Sequence, residues 1–321
     1  MTENTGRNEI GKSSRLRIIL LSFVVTALWG SLFPFVKLGY IEFGLDTDNP
    51  ANLLLFAGVR FFISGLLLSV FCMGKSRTFR ILERRTFGSV MLVGLFAVAL
   101  HYACTYIGLA NIDSSTTALL KQSGVLVFVC FSFLVFKEDR FTVQKLIGAA
   151  LGLFSILIVN MDALKIRFNV WTLLIIGASI CTVISNVIYK KLLNDVPALT
   201  STGVSQLIGG IILMAAGFLS GGRITVCTPA ALLVFGYIIT ATVVSYSLWY
   251  SVVKKYELSK LFIIKMAEPL FAALVSLALP LGAKITWNHL IAFALVFAAV
   301  LISNMKTKER RRYSHESNVS G

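Results

Sequence analysis

The sequence predicts an all-α polytopic membrane protein of ten transmembrane helices, arranged as two inverted five-helix repeats, and three observations carry this. The chain is 56% hydrophobic and only 14% charged, with a mean hydropathy of +0.82, too much apolar surface for a soluble domain of this length. Apolar stretches near the roughly 20 residues that cross a bilayer recur from one end to the other. The second half also repeats the first after 144 positions.

The apolar stretches fall at 16–38, 51–73, 87–109, 114–136, 141–160, 170–190, 199–219, 229–253, 258–280 and 285–304. Arg15 and Arg17 before the first could mark a secretory leader. No small-residue cleavage pattern follows, and the run continues to Trp29 and Pro34, so it reads as a retained span. The polar residues 1–15 form an N-terminal tail, 16–160 the first repeat, 170–304 the second, and 305–321 a basic C-terminal tail. Both tails read as solvated and disordered, and no segment has the composition of a soluble domain.

The net charge of +15 raises nucleic acid as a partner, but the placement of the charges excludes it. With the N-terminus in the cytoplasm, twenty-two of the thirty Lys and Arg residues fall on the cytoplasmic side and five outside, the latter being Lys37, Lys165, Arg167, Arg223 and Lys284. That is the positive-inside pattern, and it places both termini in the cytoplasm. The tail "KTKERRR" also suits contact with anionic lipid. Three basic residues remain within spans: Arg60, Lys121 and Lys265.

Other chemistry is not indicated. The five cysteines show no CxxC spacing and the three histidines no metal-binding spacing, so neither a disulfide nor a metal is expected. No nucleophile elbow or phosphate loop is present, and no cofactor is expected.

The repeat aligns residues 102–160 with 246–304 without a gap. Tyr102 meets Tyr246, Tyr106 meets Tyr250, Lys121 meets Lys265, Ser132 meets Ser276 and Asn160 meets Asn304. A shift of 145 continues it, setting "GVRFFISGLLL" against "GVSQLIGGIIL". Five spans per unit is an odd number, so the second unit must run upside down. The charges agree, since "ANIDSS" before span four has no basic residue and its counterpart "KKYELSK" has three. Inverted repeats of this kind are typical of secondary transporters with a site near the midplane.

Lys121 and Lys265 each lie about seven residues into a span, some 10 Å below opposite surfaces at about 1.5 Å per residue. A lysine near the centre of a span costs about 2.5–3.5 kcal/mol. Two such residues point to a wet central cavity in which ammonium groups hold a carboxylate or phosphate of a small solute. The alternative for Lys265 is a fixed ion pair with Glu268, three residues on. Lys121 has only Gln122 beside it, and Gln122 joins the candidate binding residues.

Glu268, the one acidic residue well inside a span, is the candidate for proton coupling. Arg60 could bind solute or be tied to backbone carbonyls or a carboxylate. Tyr102, Tyr246, Trp249 and Tyr250 suit a cavity wall, with aromatic-belt or core packing as the alternative. His101 reads as a hydrogen-bonded helix contact. "GGIILMAAG" at 209–217 and "LIGAALG" at 146–152 carry the small-residue spacing of close helix packing.

With these residues in view, the chain resembles the EamA-like group of the drug/metabolite transporter superfamily. "ALWGSLFPFVKLG", "GVRFFISGLLL", "YIGLANIDSSTTALL", "KEDRFTVQKLIGAALGLFSILIV" and "WYSVVKKYELSKLFIIKMAEPLFAALVSL" are similar to its span signatures, over nearly all of 16–304. Glu268 and Pro269 match its Glu-Pro pair. Glu138 matches the acidic residue closing span four, while its twin is absent, since Gly282, Ala283 and Lys284 stand there. The resemblance implies ten helices, a central cavity and passage of small organic solutes. Lysines in spans four and nine are also similar to those of the sugar-phosphate and nucleotide-sugar branches.

The expected function is secondary transport of a small anionic or zwitterionic metabolite, an amino acid or other carboxylate first, across the cytoplasmic membrane. Its partners are that solute and membrane lipid, with homodimerisation left open. The alternatives are a multidrug or organic-cation exporter of the same fold and, from another class, a membrane-embedded enzyme or scaffold. No converging acid, base and metal ligands favour an enzyme.

Overall fold

The structure is a computed structural model that describes residues 12–73, 84–109, 111, 120–137, 139, 142–159, 169–279 and 287–305. Twelve α-helices are described: α1 (Lys12–Glu42), α2 (Pro50–Met73), α3 (Arg84–Gly94), α4 (His101–Leu109), α5 (Ser123–Val135), α6 (Val143–Val159), α7 (Val170–Leu192), α8 (Ala198–Leu219), α9 (Pro229–Val253), α10 (Leu258–Lys265), α11 (Glu268–Ala278) and α12 (Trp287–Asn304). A π-helical stretch, Leu95–Leu100, joins α3 to α4 in one continuous run. Among the described residues, α1, α2, the α3–α4 run, α7, α8 and α9 are each long and apolar enough to cross a membrane. α5, α6 and α12 are shorter apolar helices, and α10 is followed by α11 across a two-residue turn.

Local chemistry sets several of these boundaries. The Asn169 side chain accepts from Thr172 N–H to cap α7, and Thr228 accepts from Ala231 N–H to cap α9, with Pro229 in the first turn. Inside the spans, Ser22, Thr26, Thr242 and Ser276 donate to carbonyls four residues back, which satisfies hydroxyls where there is no water. Leu134, Phe218, Leu219 and Leu233 stand exposed, as side chains facing lipid tails would.

Two helix pairs about 144 residues apart in sequence pack on one another, α2 on α8 and α6 on α12, while α1 packs on α9 and α4 on α7. Small residues make the closest contact, α2 on α8, possible. A Cβ added at Gly58 would lie 2.3 Å from Met214 N, one at Gly65 2.3 Å from Leu207 N, and one at Gly210 2.3 Å from Phe62 N. These are backbone contacts that cannot give way cheaply. Gly148 and Gly152 seat α6 against Ala299 and Met266 in the same manner.

The structure departs from the sequence expectation in the lysine-bearing spans. Both were read as unbroken helices. Lys121 and Gln122 instead form a turn between Leu120 and α5, and Met266 and Ala267 form one between α10 and α11.

Replacing Gly210 with Ala should lower the thermal-unfolding midpoint of the detergent-purified protein by several degrees, through overpacking worth about 1–3 kcal/mol. Gly177→Ala, with nothing within 4 Å of the added carbon, should be neutral or stabilising by the same measurement.

Candidate functional site

The two interruptions have different causes. In the second half, Pro269 in the first turn of α11 lacks the N–H that a continuous helix would offer to the Lys265 carbonyl. Short-range bonds from Met266 to Ile263 and from Ala267 to Ile264 close α10 instead. At the first interruption there is no proline in the sequence. Ser179 of α7 reaches into the turn, donating to the Lys121 carbonyl at 2.5 Å and accepting from the Gly124 N–H at 2.9 Å. A side chain has replaced a missing rung of the helical ladder. Gly124 makes room for it, since a Cβ there would lie 2.7 Å from the Ser179 hydroxyl.

Charges sit where helix ends favour them. Lys265 is in the last turn of α10 and Glu268 in the first turn of α11, each matched to the partial charge of its helix end. Their closest atoms are 3.9 Å apart, too long for a hydrogen bond. Lys121 has no ion-pair partner among the described residues, yet its nearest electrostatic neighbours are Glu268 and Lys265. The two lysines and the glutamate therefore share one region.

α1 forms the floor of that region. The Lys121 ammonium lies 4.9 Å from the Phe33 ring centre and the Lys265 ammonium 5.0 Å from that of Trp29, residues one turn apart on one face of α1. Gly30 lets α1 come this close, because a Cβ would lie 2.6 Å from the Glu268 carbonyl oxygen. Pro34 in turn deprives the Gly30 carbonyl of its helical donor.

The aromatic residues fall into two sets. Tyr102 and Tyr246, equivalent in the repeat, meet hydroxyl to hydroxyl at 3.1 Å. Trp249 packs on Trp29 with ring centres 5.0 Å apart, but its N–H donates to Asn186 at 2.6 Å. Tyr250 stacks on Tyr189 at 3.9 Å, within the hydrophobic core. Gln122 is buried beside Lys121, and its side-chain oxygen, Oε1, has no hydrogen-bond partner among the described residues.

Arg60 is 1% exposed, donates from Nε to Thr242 Oγ1 at 2.9 Å and lies over the rings of Phe61 and Tyr102. One terminal nitrogen, Nη2, has no hydrogen-bond partner. His101 lies between the Ala178 carbonyl and the Thr182 hydroxyl, at 2.9 and 3.0 Å, and joins α4 to α7.

At one end of the bundle a polar network gathers on residues 254–260. Buried Asp139 pairs with Lys145 and accepts from the Ser259 hydroxyl at 2.6 Å. Glu257 bridges Lys260 at 2.9 Å and Lys145 at 3.1 Å. Burial would raise its carboxyl, but these two ammonium groups prevail and hold it below the usual glutamate range. Arg15 of α1 donates to the Tyr256 hydroxyl at 2.9 Å and to the Asn304 carbonyl, and the Tyr256 hydroxyl donates to Asn304 Oδ1 at 2.5 Å. Lys190 donates to the Tyr256 carbonyl. α1, α6, α7, α10 and α12 are thus tied to one short connection.

Sequence reasoning missed α1 as a wall of the site and this network. The spacing of Trp29 and Phe33 was visible, whereas Ser179 carried no signal in the sequence. Glu138 lies outside the described residues, and its neighbour Asp139 makes the tie.

Asp139→Asn should loosen the connection by about 1–3 kcal/mol, by weakening a buried charged acceptor. Amide hydrogen exchange over 254–260 should quicken accordingly, while exchange in α2 and α8 stays unchanged.

Comparison with known proteins follows the same lines. The description "EamA-like transporter family" matches residues 16–161 and again 169–305. The uncharacterized transporter YvbV of Bacillus subtilis is 24% identical over 296 residues, covering 91% of this chain and 93% of that protein. The uncharacterized inner membrane transporter YedA of Escherichia coli K12 is 25% identical over 287 residues, covering 88% and 89%. A solved structure titled only "Crystal structure of protein" superposes with a TM-score of 0.75 at 16% identity, over 91% of this chain and 98% of that one, and shares its fold. With its apolar helices packed in repeated pairs and two family matches spanning nearly its whole length, this multi-pass membrane protein belongs to the EamA-like transporter family.

Proposed function

We propose that the chain is a secondary transporter for a small anionic or zwitterionic metabolite, an amino acid or other carboxylate first, working by alternating access around the interrupted spans. The observation that carries this reading is the meeting of Lys121, Lys265 and Glu268 at two helix interruptions over the same face of α1. With Arg60 nearby against Tyr102, positive groups outnumber the carboxylate. A solute carboxylate would take charge-assisted hydrogen bonds from both ammonium groups, and a solute ammonium would find Glu268 and the aromatic faces.

Glu268 is the proposed coupling group. Protonating it removes the negative charge nearest the lysines and strengthens the attraction for an anion, so proton and solute would travel together. Gln122, Tyr102 and Tyr246 complete the proposed wall. Trp249 and Tyr250 support it from behind, since their contacts are internal. In this reading the two matched segments are inverted repeats, both termini are cytoplasmic, and the network on 254–260 closes the cytoplasmic end.

The runner-up, an organic-cation exporter, is favoured by the Trp29 and Phe33 faces, but Lys121 and Lys265 already occupy both. Among the described residues no acid, base and metal ligands converge at the site as catalytic groups would, and the relatives are named as transporters.

Reconstituted counterflow with amino acids, organic acids and sugar phosphates tests the reading. Lys121→Ala and Lys265→Ala should each cut uptake of the transported anion by about ten- to a hundredfold, the loss of one charge-assisted contact. Unchanged uptake of every anionic solute in both variants would overturn it. Glu268→Gln should retain counterflow and lose the response to an imposed pH gradient.

A further inference from the structure

A second basic site lies away from the interrupted spans. The C-terminal ends of α5, α7 and α9 converge there on a cleft of about 410 Å³, lined by Val135, Phe136, Lys137, Lys190, Lys191, Asn194 and Lys254. Four of those seven are lysines, and no acidic residue is among the described residues that line it. Helix C-termini attract cations, which explains why lysines gather at these ends. It does not explain the surplus. Lys190 is used by the Tyr256 carbonyl, and Lys254 by the carbonyls of Asn194 and Val196. Lys137 and Lys191 are exposed, and Lys191 lies over the Phe136 ring with its charge directed at no carboxylate among the described residues.

The wall beside the cleft is apolar. Leu134 precedes Val135 on α5 and is 73% exposed, and Leu192 follows Lys191 on α7 and is 55% exposed. Both lie at the ends of spans, at the depth where headgroups meet acyl chains. A basic concavity bordered by exposed leucines matches a molecule with a charged phosphate and a hydrocarbon body.

We propose that this cleft binds a phosphate-bearing anion, and that its occupant in the membrane is the headgroup of an anionic phospholipid whose acyl chains run along Leu134 and Leu192. Lys137 and Lys191 supply the exposed charge, while Lys190 and Lys254 form the floor. Burial lowers the Lys254 ammonium to about 8, with Asp195 opposing that shift, so a phosphate settling above it would hold its proton in place. The site is independent of the solute carried by the interrupted spans. A lipid held there would brace α5, α7 and α9 where they meet the connection at 254–260.

The test is native mass spectrometry of the full-length protein in detergent, titrated with phosphatidylglycerol or phosphatidylcholine. Lys137→Gln with Lys191→Gln removes two exposed charges that form no ion pair among the described residues, and Lys255→Gln, one residue from Lys254 but outside the cleft, is the control. A thermal melt checks that each variant is folded. The double variant should lose phosphatidylglycerol affinity by about five-fold per charge, with phosphatidylcholine unaffected and the control unchanged.

Excess inorganic phosphate separates the two sources. Failure to displace the lipid supports the headgroup, whereas displacement in the unmodified protein alone supports the phosphate site with a soluble occupant. Equal affinity in the double variant and the unmodified protein, or an equal loss in the control, would overturn the site.

Discussion

A helix interrupted in a membrane exposes backbone N–H and C=O groups where water is scarce, and each must be satisfied by protein or by a cavity. The rest of this structure depends on how that is done twice. At Lys121 the remedy is a serine hydroxyl from another span, and at Lys265 it is a proline that removes the donor altogether. Each remedy demands close approach. α7 must reach Gly124 and α1 must reach α11 through Gly30, so the positions of α1 and α7 follow from the interruptions.

The interruptions also explain how lysines are tolerated. A central lysine costs about 2.5–3.5 kcal/mol on insertion scales, and a cation over an aromatic face recovers about 2 kcal/mol when desolvated. Phe33 and Trp29 each supply one such face. The remainder falls to helix ends and to Glu268, whose 3.9 Å separation from Lys265 leaves room for another anion to compete. Arg60 has no basic counterpart in the second half, where Ser205 aligns with it, and its guanidinium is held by Thr242 and by the faces of Phe61 and Tyr102.

Much of this was legible in the chain. The 144-residue offset pairs Tyr102 with Tyr246, and the structure brings their hydroxyls together. The small residues at 146–152 and 209–217 pack as their spacing implied. Pro269 stood in plain sight and was read only as half of a family motif, although it breaks the span. Ser179 was not legible, since its part depends on a contact across 58 positions that no local pattern encodes. The network on 254–260 looked like a topology marker because a count of basic residues does not reveal that Glu257 bridges two of them.

The claim that one water-filled space joins the two interruptions is open to direct measurement. In a background with the five native cysteines replaced by serine, Cys would be placed singly at positions 121 and 265. Each variant would then be exposed in proteoliposomes to an impermeant anionic thiol reagent. Both positions should react, and one and the same solute should slow both reactions. A position that stays unreactive from either side of the membrane, or protection of the two by different solutes, would contradict the account.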